Sequence, residues 1–342
     1  MPDLQREMAT ALKAVHAASH ICATVQHNLI TADSMKKKDQ SPVTVADFAS
    51  QAVVCSMLRL AFPDDPVVGE ESSDALRNDE QKILRQSVVH HASSALAQIL
   101  EGPPTEEQVL DLIDHGNGEA SSQRYWTLDP IDGTKGFLRG QQYCVALALI
   151  EKGRISLGVM GCPNLPVRFG SEGGKGILMS AAVGQGTGVH TLGDLTSEIG
   201  DQNRTDVKVS NIAQAVDARF CGSVESEHSD KGAASQIASI LGITADPIQM
   251  DSQCKYGAIA RGDASIYLRL PTTPGRREWI WDHAAGVICV QEAGGTVTDI
   301  LGKALDFSKG KRLEDNRGVV ASNGRFHEQI IDAVSQVSTL AD

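Results

Sequence analysis

Three acidic clusters stand far apart in the chain, each where a regular element starts or stops: Glu70-Glu71 in VVGEES, Asp129 and Asp132 in DPIDGT, and Asp282 in WDHAAG. Carboxylates at element ends are held by a rigid scaffold yet remain open to a ligand. Oxygen donors of this kind suit hard divalent cations such as Mg²⁺, with phosphate oxygens and water completing the shell. Pro130 turns the chain between Asp129 and Asp132, so the two acids can converge and the Ile131 carbonyl can join them as a neutral donor. Gly133 and Thr134 follow at once, and their amides can face an anion. Each cluster alone has a plain reading: a solvated strand end, a turn, a helix cap. Nine residues of fixed turn chemistry in DPIDGTKGF, with two acids and a hydroxyl, are a stronger signal.

The elements that must position these groups can be read on either side of them. Helical spacing runs from about Asp3 to Ile30 and from about Val45 to Ala61, where Pro63 stops it. A polar loop with a lysine run, SMKKKDQSPVT, joins the two. Residues 72–124 read as polar and irregular, with helical character around 79–100. The apolar runs on either side of Lys152-Gly153 predict a β-hairpin. Short strands follow at 176–182 and 187–191. Beyond residue 205 the pattern alternates: strand VKVS, helix, strand ARFCGS, helix at about 231–241, strand PIQMD, helix, strand ASIYLRL. A further helix after WDHAAG, strands TVTDI and GVVAS and a terminal helix complete an α/β rhythm. These signals predict an α+β N-terminal unit over residues 1–165 and an α/β substrate-binding unit over residues 166–342.

The chain has 342 residues, 41% of them hydrophobic and 22% charged, which excludes disordered, collagen-like and membrane classes. Its net charge of −12 argues against a nucleic-acid binder, because no basic face is available to displace phosphate counterions. Seven cysteines occur without CxxC spacing and read as buried or free thiols in a reducing compartment. No apolar run is long enough to span a bilayer. The first 30 residues read as a mature amphipathic helix rather than a signal sequence. A cytoplasmic location is expected, with an organelle open because a removed transit peptide leaves no trace.

VVGEES, LDPIDGTKGFLRG and IWDHAAG resemble, in order and spacing, the lithium-sensitive phosphatases of the inositol monophosphatase and fructose-1,6-bisphosphatase superfamily. SPVTVADFASQAVV, CPNLP, DSQCKYGAIARGDASIYLRLP and EAGGTVTD are similar to its 3′(2′),5′-bisphosphate nucleotidases. Lys135-Gly136 also favours that subgroup, since inositol monophosphatases carry a threonine-asparagine pair there. The resemblance covers about residues 40 to 325, and 72–124 match least. It implies a layered αβαβα sandwich of the sugar-phosphatase type; a monomer is expected.

The resemblance makes Glu70, Asp129, Asp132, Asp282 and the Ile131 carbonyl ligands of two or three Mg²⁺ ions. It makes Asp47 and Thr134 a proton-accepting pair. Ser252, Lys255, Arg269 and His228 become contacts to the nucleotide, with Thr134 and Asp282 also touching substrate. Whether Glu71 stands behind Glu70 or competes for the same cation is open at this point. The implied reaction is removal of the 3′-phosphate from adenosine 3′,5′-bisphosphate, with 3′-phosphoadenylyl sulfate as a second substrate, in sulfate assimilation and sulfotransfer. Lithium inhibition is implied as well. The alternatives are an inositol polyphosphate 1-phosphatase, a sugar-bisphosphate phosphatase, and a catalytically silent nucleotide sensor; the intact acidic set and Thr134 weigh against the sensor.

Overall fold

In the computed structural model the described residues are 4–31, 41–100, 102–120, 123–170, 173–193, 203–224, 231–273 and 275–337. In chain order the first half comprises α1 (Gln5–Thr31), α2 (Ser41–Ala61), β1 (Val67–Gly69), α3 (Lys82–Ile99), α4 (Glu106–Asp114), β2 (Arg124–Asp132), α5 (Thr134–Leu138), β3 (Cys144–Glu151) and β4 (Arg154–Pro166). Then come β5 (Lys175–Ala182), β6 (Thr187–Thr191), β7 (Thr205–Val207), β8 (Phe220–Gly222), α6 (Lys231–Ile240), β9 (Ile248–Gln249), α7 (Cys254–Ala260) and β10 (Ile266–Arg269). The chain ends with α8 (Ala284–Glu292), β11 (Thr296–Thr298), β12 (Val319–Ser322) and α9 (His327–Ser335).

Among the described residues, β1 to β7 form one sheet in sequence order, and β11-β12-β10-β8-β9 form a second. Only β1 and β2 run parallel in the first sheet, which brings the ends of both strands to one edge. The apolar run of β3 is continuous because both of its faces are covered. Val145, Leu147 and Leu149 pack with α1 and α2, whereas Cys144, Ala146, Ala148 and Ile150 pack with α7, α8 and the second sheet. Ile266, Leu268 and Val320 face the other way, onto α6 and α9. The layers are therefore α, β, α, β, α, and α7 and α8 lie between the sheets.

The hairpin expected at Lys152-Gly153 is present: both residues take left-handed backbone angles (φ 52° and 73°), and Glu151 pairs with Arg154. That turn matches the twist of the strands it joins. Two expectations need correction. The helix expected after VKVS is a single 3₁₀ turn at Ala215–Asp217, and the strand there, β7, pairs with β6 as an edge of the first sheet. Residues 72–124 contain a further helix, α4, closed by a reciprocal capping box between Thr105 and Gln108. The change of sheet falls between Val207 and Phe220, because β4 runs through residue 165 and pairs with β5 as far as Ala182. All seven cysteines are buried and unbridged. Among the described residues no helix is long and apolar enough to cross a membrane.

Candidate active site

A cavity of about 240 Å³ opens where the ends of β1 and β2 meet the starts of α5, α7 and α8. It collects Glu70, Asp129, Ile131, Asp132, Thr134, Ser252, Lys255, Arg269 and Asp282, which are scattered over more than two hundred residues of sequence. One described predicted residue is not on this surface. Asp47 is buried in α2 behind the cleft, close enough to Glu70 and Glu71 to feel their charge. His228 lies outside the described residues.

The DPIDG segment converges because β2 carries a bulge. Asp129 pairs with Ala146 and Asp132 with Cys144, so three steps along β2 match two along β3. The extra residue falls at Pro130-Ile131, where proline has no N–H to lose from the ladder. Without it, side chains three apart would leave opposite faces of the strand. Gly133 follows with φ 93°, and its missing side chain lets Ser252 approach; an added Cβ would stand 2.9 Å from that of Ser252. Ser252 is itself left-handed, with φ 66°, a strained conformation for a serine at the mouth of the cleft.

One end of the cleft is acidic and short of partners. Asp129 is 2% exposed, and its Oδ1 has no hydrogen-bond partner among the described residues. Burial and then repulsion from Glu70, Asp132 and Asp282 push its carboxyl well above the usual range. Glu70 faces the open cleft, yet protein closes round its other sides. This burial and the charge of Glu71 push it up to about 7. Asp282 is raised by burial and by Asp132. Asp132 is raised by burial against the pull of Lys255 and of the Gln253 backbone N–H, which donates to it. Four carboxylates forced toward protonation, one with an orphaned oxygen, fit a hard divalent cation.

The other end is basic, and its two arginines are already paired. Buried Arg269 donates from Nε to Glu278 Oε2 at 3.1 Å, and its Nη2 lies 3.1 Å from the same oxygen. Half-exposed Arg276 reaches the other oxygen of Glu278 at 3.3 Å. Burial alone would raise Glu278, but His283 and Arg269 outweigh it and hold the carboxyl far below the usual range. Lys255 is buried, 5.3 Å from the centre of the Tyr267 ring, and its burial lowers its pKa. Glu278, Asp282 and His283 bring donor atoms within 4.8 Å of one another. Two arginines already occupy Glu278, so of these three groups Glu278 is the one engaged in ion pairs and not open to a cation.

Sequence reasoning missed the groups that brace these ends. The Gln253 side chain donates to the Trp281 carbonyl at 2.8 Å and accepts from Gly286 N–H at 2.9 Å, tying the Asp282 turn to α7. His283 Nδ1 meets the Tyr256 hydroxyl at 2.6 Å. Asp251 is fixed by Arg139. Among the described residues no hydrogen bond joins Asp47 to Thr134, which begins α5 exposed to the cleft.

The profile of the inositol monophosphatase family matches residues 3–339. The chain belongs to the inositol monophosphatase family. Among curated proteins it is 43% identical to the "3′(2′),5′-bisphosphate nucleotidase" of Schizosaccharomyces pombe, over 98% of this chain and 96% of that protein. It is 42% identical to the protein of the same name from Emericella nidulans, over 98% and 99%. Solved members of the family share the fold at lower identity. The inositol monophosphatase of Anabaena gives a TM-score of 0.61 at 20% identity, over 99% of both chains. Mycobacterium tuberculosis SuhB gives 0.62 at 16%, over 99% of this chain and all of that one. The layered fold is thus that of the inositol monophosphatase family.

Proposed function

We propose that the chain is a Mg²⁺-dependent hydrolase that removes the 3′-phosphate of adenosine 3′,5′-bisphosphate, leaving AMP and phosphate. The observation that carries this reading is the polarity of one cleft: a cation-seeking end of Glu70, Asp129, Asp132 and Asp282 adjoins an anion-seeking end of Lys255, Arg269 and Arg276. A substrate with two phosphates fits both ends at once, whereas a monophosphate leaves one idle. The nucleotidase names of relatives at 42–43% identity support the nucleotide over an inositol phosphate.

Glu70, Asp129, Asp132, Asp282 and the Ile131 carbonyl would hold the Mg²⁺ ions, two or three in number. The bound cation lowers the pKa of water and neutralises charge on the phosphoryl oxygens. The chain's own groups do the rest. Lys255 and Arg269 grip the phosphate that is not hydrolysed, the arginine through its planar fork and the lysine as a point charge. The Thr134 hydroxyl orients the attacking water and receives its proton, with Asp47 as the acceptor behind it. Hydrogen bonds of this kind are often open in the empty enzyme and close with substrate. Ser252, and His228 on the segment outside the described residues, contact the nucleoside.

The same arrangement admits 3′-phosphoadenylyl sulfate, whose sulfate extends from the 5′ side. Li⁺ inhibits by taking a cation position with too little charge. The enzyme acts as a monomer in the cytoplasm, on a small molecule, without nucleic acid or membrane. Comparing kcat/KM for adenosine 3′,5′-bisphosphate and inositol 1,4-bisphosphate tests the substrate. A clear preference for the nucleotide supports the reading; a preference for the inositol ester would move the enzyme to another branch of its family.

A further inference from the structure

Gln51 is wholly buried in α2, one helical turn after Asp47 and on the same face. Its side-chain amide engages both backbone groups of Glu71. Glu71 N–H donates to Oε1 at 3.1 Å, and Nε2 donates to the Glu71 carbonyl at 2.6 Å and to the Ile113 carbonyl at 2.9 Å. The amide supplies the donor and acceptor that a neighbouring strand would offer just past the end of β1. On the other side of Glu70 the backbone is equally fixed: Gly69 pairs with Leu128 of β2, and its N–H donates to the Gly116 carbonyl at 2.7 Å. The space for Gln51 is made by two glycines, since a Cβ on Gly69 or Gly116 would stand 2.5 Å from the amide.

Glu70 therefore sits between two pinned peptide groups. The chain bends at Glu70, just past β1, and with the peptide groups on both sides held, it cannot slip by one residue to exchange the two carboxylates. Glu70 lines the cleft, while Glu71 is not among the lining residues and is the foremost charge acting on Asp47. We propose that Gln51 is a positioning residue that selects Glu70, rather than the adjacent Glu71, as the carboxylate facing the cation. This rests on the metal reading of the cleft given above.

The test uses Gln51→Met, which keeps the length of the side chain and removes its amide. Mn²⁺ serves as the probe, titrated calorimetrically without nucleotide, and melting in EDTA is followed separately by circular dichroism. Loss of a group that orients a metal ligand weakens binding roughly 10- to 100-fold, so the Mn²⁺ Kd of the variant is expected to rise at least about tenfold. Glu70→Gln should weaken Mn²⁺ binding strongly in the native background and much less when combined with Gln51→Met, because both changes act on one ligand. A lower melting point with an unchanged Mn²⁺ Kd would make Gln51 a purely structural clamp and overturn the proposal. An unchanged Kd in Glu70→Gln would instead remove the metal reading itself. If Gln51→Met does not fold, Gly116→Ala displaces the amide by a single methyl group and is read in the same way.

Discussion

The two ends of the cleft solve the burial of charge in opposite ways. At the basic end the protein supplies the counter-ion: Glu278 accepts both arginines, and its carboxyl stays ionised. At the acidic end it does not. Asp129, Asp132, Asp282 and Glu70 repel one another, and among the described residues one buried oxygen of Asp129 has no partner. A buried charge without compensation is costly, and on the proposed function it is the cations that offset it. The basic end is organised before any ligand arrives.

The largest effect should come from the acidic end. Asp132→Asn removes a charge from the ligand set while keeping its shape, and turnover should fall by a factor on the order of a thousand. Circular dichroism should show an intact fold. Near-normal turnover in that variant would remove Asp132 from the cation site. Next in size, Thr134→Ala deletes the hydroxyl assigned to the water. Its kcat should drop on the order of a hundredfold with KM little changed; an unaltered kcat would end the Thr134 assignment. At the basic end, Lys255→Ala should raise KM for the bisphosphate roughly tenfold or more, the worth of one hydrogen bond to a charged group. KM for a small phosphate ester should move much less, and equal shifts on both substrates would mean that Lys255 does not read the second phosphate.

The smallest effect sharpens the contrast through pH. In cation-free protein Glu70 is pushed up to about 7 from an ordinary value of 4.5. The folded chain therefore holds this proton more tightly than the unfolded chain. The associated stability is full below about 4.5 and is lost as pH rises through about 7. The melting temperature in EDTA should fall as pH is raised across that window, and Mg²⁺ should flatten the fall by replacing the proton. Glu278 is shifted the other way, so its stabilisation is full above about 4.5 and is lost progressively as pH falls below that value. Identical pH profiles with and without Mg²⁺ would mean that the acidic end is not where the cation binds.

The acidic end was largely legible in the sequence because its geometry is local. Pro130 and Gly133 place a bulge and a left-handed turn next to the acids, and such turn chemistry survives in the order of residues. The β-hairpin at Lys152-Gly153 was legible for the same reason. The groups that brace the site were not, since Gln51, Gln253 and Glu278 act across 20, 28 and 9 residues of sequence on backbone or charge that no short pattern records. Each looks like an ordinary polar residue until the fold buries it. Helix α4 did carry a signal, the Thr105–Gln108 capping box, inside a stretch whose polarity concealed it. The edge strand β7 stands at the head of the alternation seen beyond residue 205, and only its pairing with β6 places it in the first sheet.

The central claim is the orientation of the substrate, with the 3′-phosphate at the acidic end and the 5′-phosphate at the basic end. Chromatographic identification of the nucleotide released from adenosine 3′,5′-bisphosphate, in Mg²⁺ and in EDTA, tests it most directly. The account predicts 5′-AMP and one phosphate in Mg²⁺, and no release in EDTA. Appearance of 3′-AMP, or undiminished release in EDTA, would contradict it.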